Sequence, residues 1–563
     1  MKLTDSALNS ILLENKLLNN EDISLAQKSA KAQGVSLYKY ISDAGLVRDD
    51  QLGQLIANYY NLPFINLGQI SVKDEILKIV PEVVARKQNV ICFSRDKDGL
   101  HVASSRPDNL AVFELIKKKT GDKIVRYYAT ERNIRDAINL YTRDAALAFE
   151  DILAENIKQA RENRGKLIDL PIIKIVDTII EYAYGNKASD VHIEPEEDYS
   201  LLRFRIDGML HDIVRLPKEI HEQVTTRIKV LSNLRTDTHM KPQDGKIQKN
   251  IYDESLNLRV SIVPVTEGEK VVLRLLTEQS RQLTLSDLGF LDQSIVGITR
   301  GYKRPYGMVL ATGPTGSGKT TTLYAILKIL NKREINVMTI EDPVEYDIEG
   351  INQIQVNNKT GLTFSTGLRS IVRQDPDVIL VGEIRDEETA KIAVNSAMTG
   401  HQVLSTLHTN DAATTIPRLF DMGVEPFLVA SSVNVIVGQR LVRRICEQCR
   451  ISIDIEPAKW KDLTKDLPPE MVKKHFNSKK VVRVYTGKGC EICHNTGYSG
   501  RIGIYEILEV DDDIRSAVIH KSSAEEITKI AVSKGMTTML EDGFEKIKLG
   551  ITSLDELIRV TKE

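Results

Sequence analysis

GPTGSGKT, Gly313 to Thr320, is the stretch whose reading decides the architecture of this chain. It has the spacing G-x-x-x-x-G-K-[ST], and it stands between MVLAT, which predicts a strand, and TTLYAILKIL, which predicts a helix. Its glycines let the backbone curl so that successive N–H groups face a polyphosphate, and the dipole of the following helix adds positive potential. Gly313, Pro314, Thr315, Gly316, Ser317, Gly318, Lys319, Thr320 and Thr321 are therefore the predicted ATP-binding residues. Lys319 is expected at the β- and γ-phosphates, and the Thr320 hydroxyl is the expected Mg²⁺ ligand.

Around this loop, from about Leu285 onward, short apolar runs (YGMVLATG, INVMTIEDP, DVILVGEI, HQVLSTLH) alternate with helical segments. That alternation predicts an α/β domain over 285–563, with a mostly parallel sheet covered on both faces. Hydrolysis also needs carboxylates to hold the magnesium shell and orient water. Candidates stand at two strand ends: Glu341, Asp342 and Glu345 in TIEDPVEY, and Glu383 after DVILV. The tail from Asp511 is predicted helical, with a break at Gly550.

Upstream, LPIIKIVDTIIEYAYGNKA predicts a helix, and SDVHIEP, SLLRFRIDGML, LNLRVSIVPV and KVVLRLL predict strands, which gives an α+β domain over 167–284. The polar segment 146–166 reads as a linker. Residues 1–145 are predicted to form a small domain, largely helical and then mixed, in which two similar amphipathic stretches look like a degenerate repeat.

The chain has 563 residues, enough for roughly three to four domains by length. Its 76 basic and 78 acidic residues nearly cancel, which argues against a global attraction to nucleic acid or anionic lipid. No stretch approaches the ~20 apolar residues that cross a bilayer, and the start lacks the apolar run of a signal peptide. A cytoplasmic protein is expected. Of five cysteines, Cys446, Cys449, Cys490 and Cys493 form two C-x-x-C pairs. Four thiolates can enclose Zn²⁺, stapling an excursion (446–500) expected to bury little core of its own. Cys92, in VICFS, reads as a core residue.

VRQDPDVILVGEIRD (Val372 to Asp386), TIEDPVEY and TGHQVLSTLHTN (Thr399 to Asn410) together resemble the signature strings of the bacterial type II secretion and type IV pilus-assembly ATPases. The resemblance implies a P-loop, RecA-like ATPase core. It gives Glu345 the attacking water, Glu383 the magnesium shell, His408 the γ-phosphate, and His401 a supporting place in the same region. ASDVHIEP, RFRIDG and PQDGK resemble the family's domain that packs on an ATPase core, with Arg259 and Arg274 where the family places arginines that reach the γ-phosphate across subunits. It thereby implies a homo-hexamer, and the cysteines resemble the family's tetracysteine insertion. Lys246 stands where arginine is common, and lysine lacks the planar fork.

The amino-terminal part is similar to the family's first domain, which in some members binds cyclic di-GMP through repeats beginning Arg-Leu-Gly. Here the triplets are Ala7-Leu8-Asn9 and Ser36-Leu37-Tyr38, so such binding is not expected. The domain is read as a docking module for an inner-membrane platform protein or its cytoplasmic adaptor. The function expected is ATP-driven extension of type IV pili, with a type II secretion pseudopilus motor as the alternative. From another class stands a nucleic-acid translocase or zinc-dependent nucleic-acid-binding protein, which should show a basic face.

Overall fold

The computed structural model describes residues 3–15, 17–32, 36–43, 46–47, 49–70, 72–138, 155, 170–251, 254–276, 283–476, 481–490 and 493–562. The predicted linker 146–166 lies outside the described residues, Glu155 excepted. By contacts the chain divides into two compact units, Met1–Thr4 with Asp49–Arg281 and Asp5–Arg48 with Gln282–Glu563.

The first unit holds two hydrophobic cores. One surrounds a three-stranded sheet, β1 (Val90–Asp96), β2 (Gly99–Ser104) and β3 (Ile124–Tyr128), in which β1 and β2 are antiparallel and β3 joins β2 in parallel. Cys92 is fully buried there, as its apolar setting predicts. The other core lies under an antiparallel sheet of β4 (Asp190–Pro195), β5 (Tyr199–Ile206), β6 (Met209–Pro217), β7 (Gln243–Ile251), β8 (Glu254–Val265) and β9 (Gly268–Leu276), ordered β6-β5-β4-β9-β8-β7. The helices Leu170–Gly185 and Lys218–Leu231 supply Ile175, Ile179, Val224 and Ile228 to that core. Val191, Leu202, Val260 and Leu273 meet them from the sheet.

Strand alternation sends the intervening residues to the opposite face. On that face the register aligns Lys246, Arg259, Arg274, Asp190 and Arg205 in one row across β7, β8, β9, β4 and β5. Sequence reasoning missed β7. Its residues QDGKIQKNI are mostly polar, because an edge strand with one solvated face needs little apolar surface.

The second unit is built on a seven-stranded sheet and a two-stranded ribbon. Its strands are β10 (Gly307–Thr312), β11 (Val337–Glu341), β12 (Asn352–Gln355), β13 (Val378–Val381), β14 (Gln402–Leu407), β15 (Val433–Ile445), β16 (Arg450–Ile455), β17 (Val482–Gly487) and β18 (Tyr498–Glu509). The sheet order is β12-β11-β13-β14-β10-β15-β18, parallel throughout except that β18 runs against β15. Met308 and Leu310 enter one core and Val309 and Ala311 another, so both faces are covered, as an all-buried parallel strand requires. The helical tail resolves into Asp512–Ile519, Ala524–Ser533, Met539–Lys548 and Leu554–Lys562, with Gly550 at φ +68° between the last two.

The ribbon β16–β17 corrects one expectation. The excursion between the cysteine pairs does bury a core. Trp460 is fully buried, its ring 4.8 Å from that of Phe476, and both join Val472, Phe544 and Leu557 in one cluster. The helices Pro457–Leu463 and Pro469–His475 hold these side chains against the tail, so the excursion is a packed layer.

Candidate nucleotide and metal sites

The phosphate loop joins the carboxyl end of β10 to the helix Lys319–Leu330. Gly313, Gly316 and Gly318 have φ of +146°, +81° and +88°, a region open to glycine at little steric cost. At Gly313 space also decides, since a Cβ would stand 2.3 Å from the Gln439 carbonyl oxygen. Gln439 in turn donates from Nε2 to the Ser317 carbonyl at 2.7 Å, so β15 braces the loop from its side. Its signal in the sequence was a polar residue inside the mostly apolar run VNVIVGQRLV, a signal that Asn434 and Arg440 share. Lys319 is buried, and its Nζ donates to the Gly313 and Pro314 carbonyls at 2.7 and 3.0 Å. Burial holds its pKa below the ordinary lysine value, and the negative charge of Glu383 opposes that shift. Thr320 and Thr321, both half-buried, follow in the helix's first turn.

Because β11, β13, β14 and β10 run the same way, their carboxyl ends share one edge, the place where open α/β sheets bind ligands. The register pairs Thr312 with Leu407, Ser405 with Val381 and Val381 with Ile340. Continued two residues on, it brings Glu383 and Asp342 level with the end of β10. Glu383 is largely buried. It receives His408 Nε2 at 3.2 Å on one carboxylate oxygen and Arg385 Nη2 at 2.5 Å on the other. Arg385 was missed although it lies inside the quoted string GEIRD. Only the structure shows that it shares Glu383 with His408. The loop after β14 is tied to β10 by a Thr312–Thr409 hydroxyl contact and by Thr409 N–H donating to Thr312 Oγ1 at 3.1 Å.

Among the acids of TIEDPVEY, Glu341 is buried beneath the site and accepts from Thr339 Oγ1 at 2.6 Å, Gln353 Nε2 at 3.2 Å and the Tyr324 hydroxyl. Burial pushes its carboxyl up, and those donors pull the other way. Asp342 is exposed and Glu345 half-buried, on the loop that leaves β11.

His401 falls elsewhere, and the expectation that it supports the same region as His408 is corrected. It precedes β14, and its carbonyl accepts from Gly307 N–H at the amino end of β10, while its Nδ1 contacts the Ser396 carbonyl at 2.8 Å. A six-residue strand is ~20 Å long, so His401 stands at the opposite edge of the sheet.

Arg259 and Arg274 lie in the first unit. They are directly opposite each other on β8 and β9, and Arg274 Nε donates to Asp190 Oδ1 at 2.9 Å while its side chain remains 59% exposed. Asp190 is also 3.7 Å from Arg205.

The four paired cysteines converge because Arg450 pairs with Gly487, which sets the residues before β16 beside those after β17. Their sulfurs all lie within 4.8 Å of one another, with Cys446–Cys490 and Cys449–Cys493 at 3.8 Å and Cys490–Cys493 at 3.7 Å. Four sulfurs ~2.3 Å from one ion at tetrahedral angles stand about 3.8 Å apart, so the set fits a metal. Cys493 Sγ also accepts from the N–H groups of Cys490 and Gly497, both at 3.2 Å.

Residues 167–559 match the family model described as type II/IV secretion system protein, and residues 60–147 match the MshEN domain. The chain is 38% identical over 98% of both lengths to a protein of Myxococcus xanthus (strain DK1622) named type IV pilus assembly ATPase PilB. It is 40% identical to the type II secretion system protein E of Pectobacterium carotovorum subsp. carotovorum, over 87% of this chain and 98% of that one. Among solved structures it resembles the Yersinia pseudotuberculosis ATPase DotB at 18% identity and TM-score 0.50, covering 69% of this chain and 93% of that one, a likeness of fold.

The glycine geometry yields the first test. Gly313→Ala, which puts a methyl group 2.3 Å from the Gln439 carbonyl, is expected to weaken ATP binding by about tenfold or more in calorimetric titration. Wild-type affinity in that variant would rule the loop out as the phosphate site.

Proposed function

The chain belongs to the type II/IV secretion system protein family and is an ATP hydrolase, and on that premise we propose that it is the motor subunit that extends a type IV pilus. The observation that carries this reading is the alignment of the Lys319 loop with the Glu383–His408 pair at one sheet edge, in a chain that matches a pilus-assembly ATPase over 98% of both lengths. The type II secretion relative, aligned over 87% of this chain, keeps a pseudopilus motor as the second reading.

The division of labour follows from the site. The loop from Gly313 to Thr321 cradles the polyphosphate, with Lys319 Nζ leaving the Gly313 and Pro314 carbonyls for the phosphate oxygens. Thr320 and Glu383 would hold Mg²⁺, which would supply positive charge against the phosphate oxygens. Glu345 orients and deprotonates the attacking water. His408, fixed by Glu383, reads the γ-phosphate. Arg259 and Arg274 serve a neighbouring subunit's site, and Asp190 holds the Arg274 guanidinium while leaving it solvent-facing. The working assembly is thus a homo-hexamer of segments 1–145, 167–284 and 285–563. The four cysteines hold Zn²⁺ as a structural ion, since no fourth position is left for water.

The amino-terminal segment docks on an inner-membrane platform protein or cytoplasmic adaptor, so the chain works in the cytoplasm at that membrane. Among the described residues no helix is long and apolar enough to cross a membrane. Leu8 and Leu37 are buried in helices, and their triplets offer no arginine to a phosphate, which supports a module that does not take cyclic di-GMP. Nucleic acid is not a partner in this reading.

Three measurements test it. Glu383→Gln is expected to bind ATP yet lose turnover by about a hundredfold or more, and equal rates in variant and wild type would sink the motor reading. Arg274→Ala and Lys319→Ala should each be inactive alone. Mixed assemblies of the two should recover up to about a quarter of wild-type activity, because one site in four then pairs an intact lysine with a neighbour's intact arginine. No recovery in assemblies shown to contain both variants would place the arginines outside the site. Purified protein should carry about one zinc per chain, and its removal by a chelator should lower the melting temperature. Metal-free protein with an unchanged melt would remove the zinc assignment.

A further inference from the structure

The loop that carries Glu345 has no regular structure between Asp342 and Ile351, yet a catalytic carboxylate must be held to within about half an ångström. Its support comes from behind. Tyr324 projects from the helix that begins at Lys319, five residues or about 7.5 Å along the axis, and it is 1% exposed. Its hydroxyl donates to Glu341, which accepts from three groups and has no proton to return in its ionised form. The phenol has one hydrogen, and Glu341 takes it, so the ring is held from its hydroxyl end.

Gln353, on β12, completes the hub. Its Nε2 donates to Glu341 Oε1 at 3.2 Å and to the Tyr346 carbonyl at 3.2 Å, and its Oε1 accepts from Ile348 N–H at 2.8 Å. The Tyr346 ring also stands edge-on to the Tyr324 ring, centroids 4.8 Å apart. Tyr346 and Ile348, one and three residues past Glu345, are thus fixed to the buried Tyr324 ring and the half-buried Gln353 amide, and Glu341 accepts from both of these side chains. We infer that Tyr324 and Gln353 are positioning residues for the Glu345 carboxylate, and that Tyr324 ties the Glu345 loop to the same helix that grips the phosphates through Lys319. This rests on the reading of Glu345 as the group that acts on water. Its consequence is directional: a shift of the helix when nucleotide binds at Lys319 is passed through the Tyr324–Tyr346 contact to the loop that carries Glu345.

The test compares Tyr324→Phe, Gln353→Ala and Glu345→Gln in the full-length assembly. Tyr324→Phe removes one oxygen and no ring volume. It is expected to lower kcat by about tenfold while KM for ATP and the equilibrium affinity for a non-hydrolysable ATP analogue stay within about twofold of wild type. Gln353→Ala should show the same split. A merely structural role would lower the melting temperature and leave kcat intact at temperatures well below the melt. Wild-type kcat in both Tyr324→Phe and Gln353→Ala, with Glu345→Gln inactive, overturns the positioning inference alone. Retained turnover in Glu345→Gln overturns the reading of Glu345 and this inference with it.

Discussion

The parallel pairing of β13, β14 and β10 is the constraint on which the rest depends. Insertion of β14 between the phosphate-loop strand and the Glu383 strand places three loops level with one another without any contact having to be specified between them. Each backbone step is ~3.3 Å, so a slip of one residue in either ladder would carry Glu383 out of reach of Lys319 or turn it to the other face. Buried runs on both faces resist such a slip. Val378 to Val381 and Gln402 to Leu407 are buried at every position, and any other register would expose part of an apolar face.

Most of that arrangement could be read from the chain. The strand-loop-helix setting of Gly313–Thr320 and the apolar run ending at Gly382 are local signals, and parallel topology turns local strand ends into a shared edge. What the chain hid was of two kinds. Position along a strand was misjudged for His401. Residues seven apart in TGHQVLSTLHTN lie at opposite ends of β14, and a motif string carries no sense of edge. Polar supports were hidden because their partners are distant in sequence. Gln439 and Ser317, 122 residues apart, and Tyr324 and Glu341, 17 apart, carry meaning only as pairs. Strands β15 and β18 went unread for a related reason, as each joins a buried stretch to a more exposed one carrying arginine where the sheet extends toward the cysteine layer.

The first unit shows the opposite balance. A row containing Lys246, Arg259, Arg274 and Arg205 sets like charges directly across a sheet, which local stability disfavours by some tenths of a kcal/mol per pair. Only Asp190 interrupts it. Local rules are broken at functional surfaces more than elsewhere, and this face is where the chain breaks one. The same sheet buries Lys229 against Glu269 at 2.7 Å, so the unit tolerates a charge inside when it is paired and keeps the surplus outside.

Trp460 is the chain's single tryptophan, and it is fully enclosed by the layer between the cysteine pairs and the helical tail. The indole emission of the whole 563-residue chain therefore originates in this one layer. Its colour and intensity report whether the cysteine-linked layer is packed and dry, and the phosphate loop and the amino-terminal segments contribute no indole signal of their own. The protein carries a built-in optical probe of the layer between its cysteine pairs.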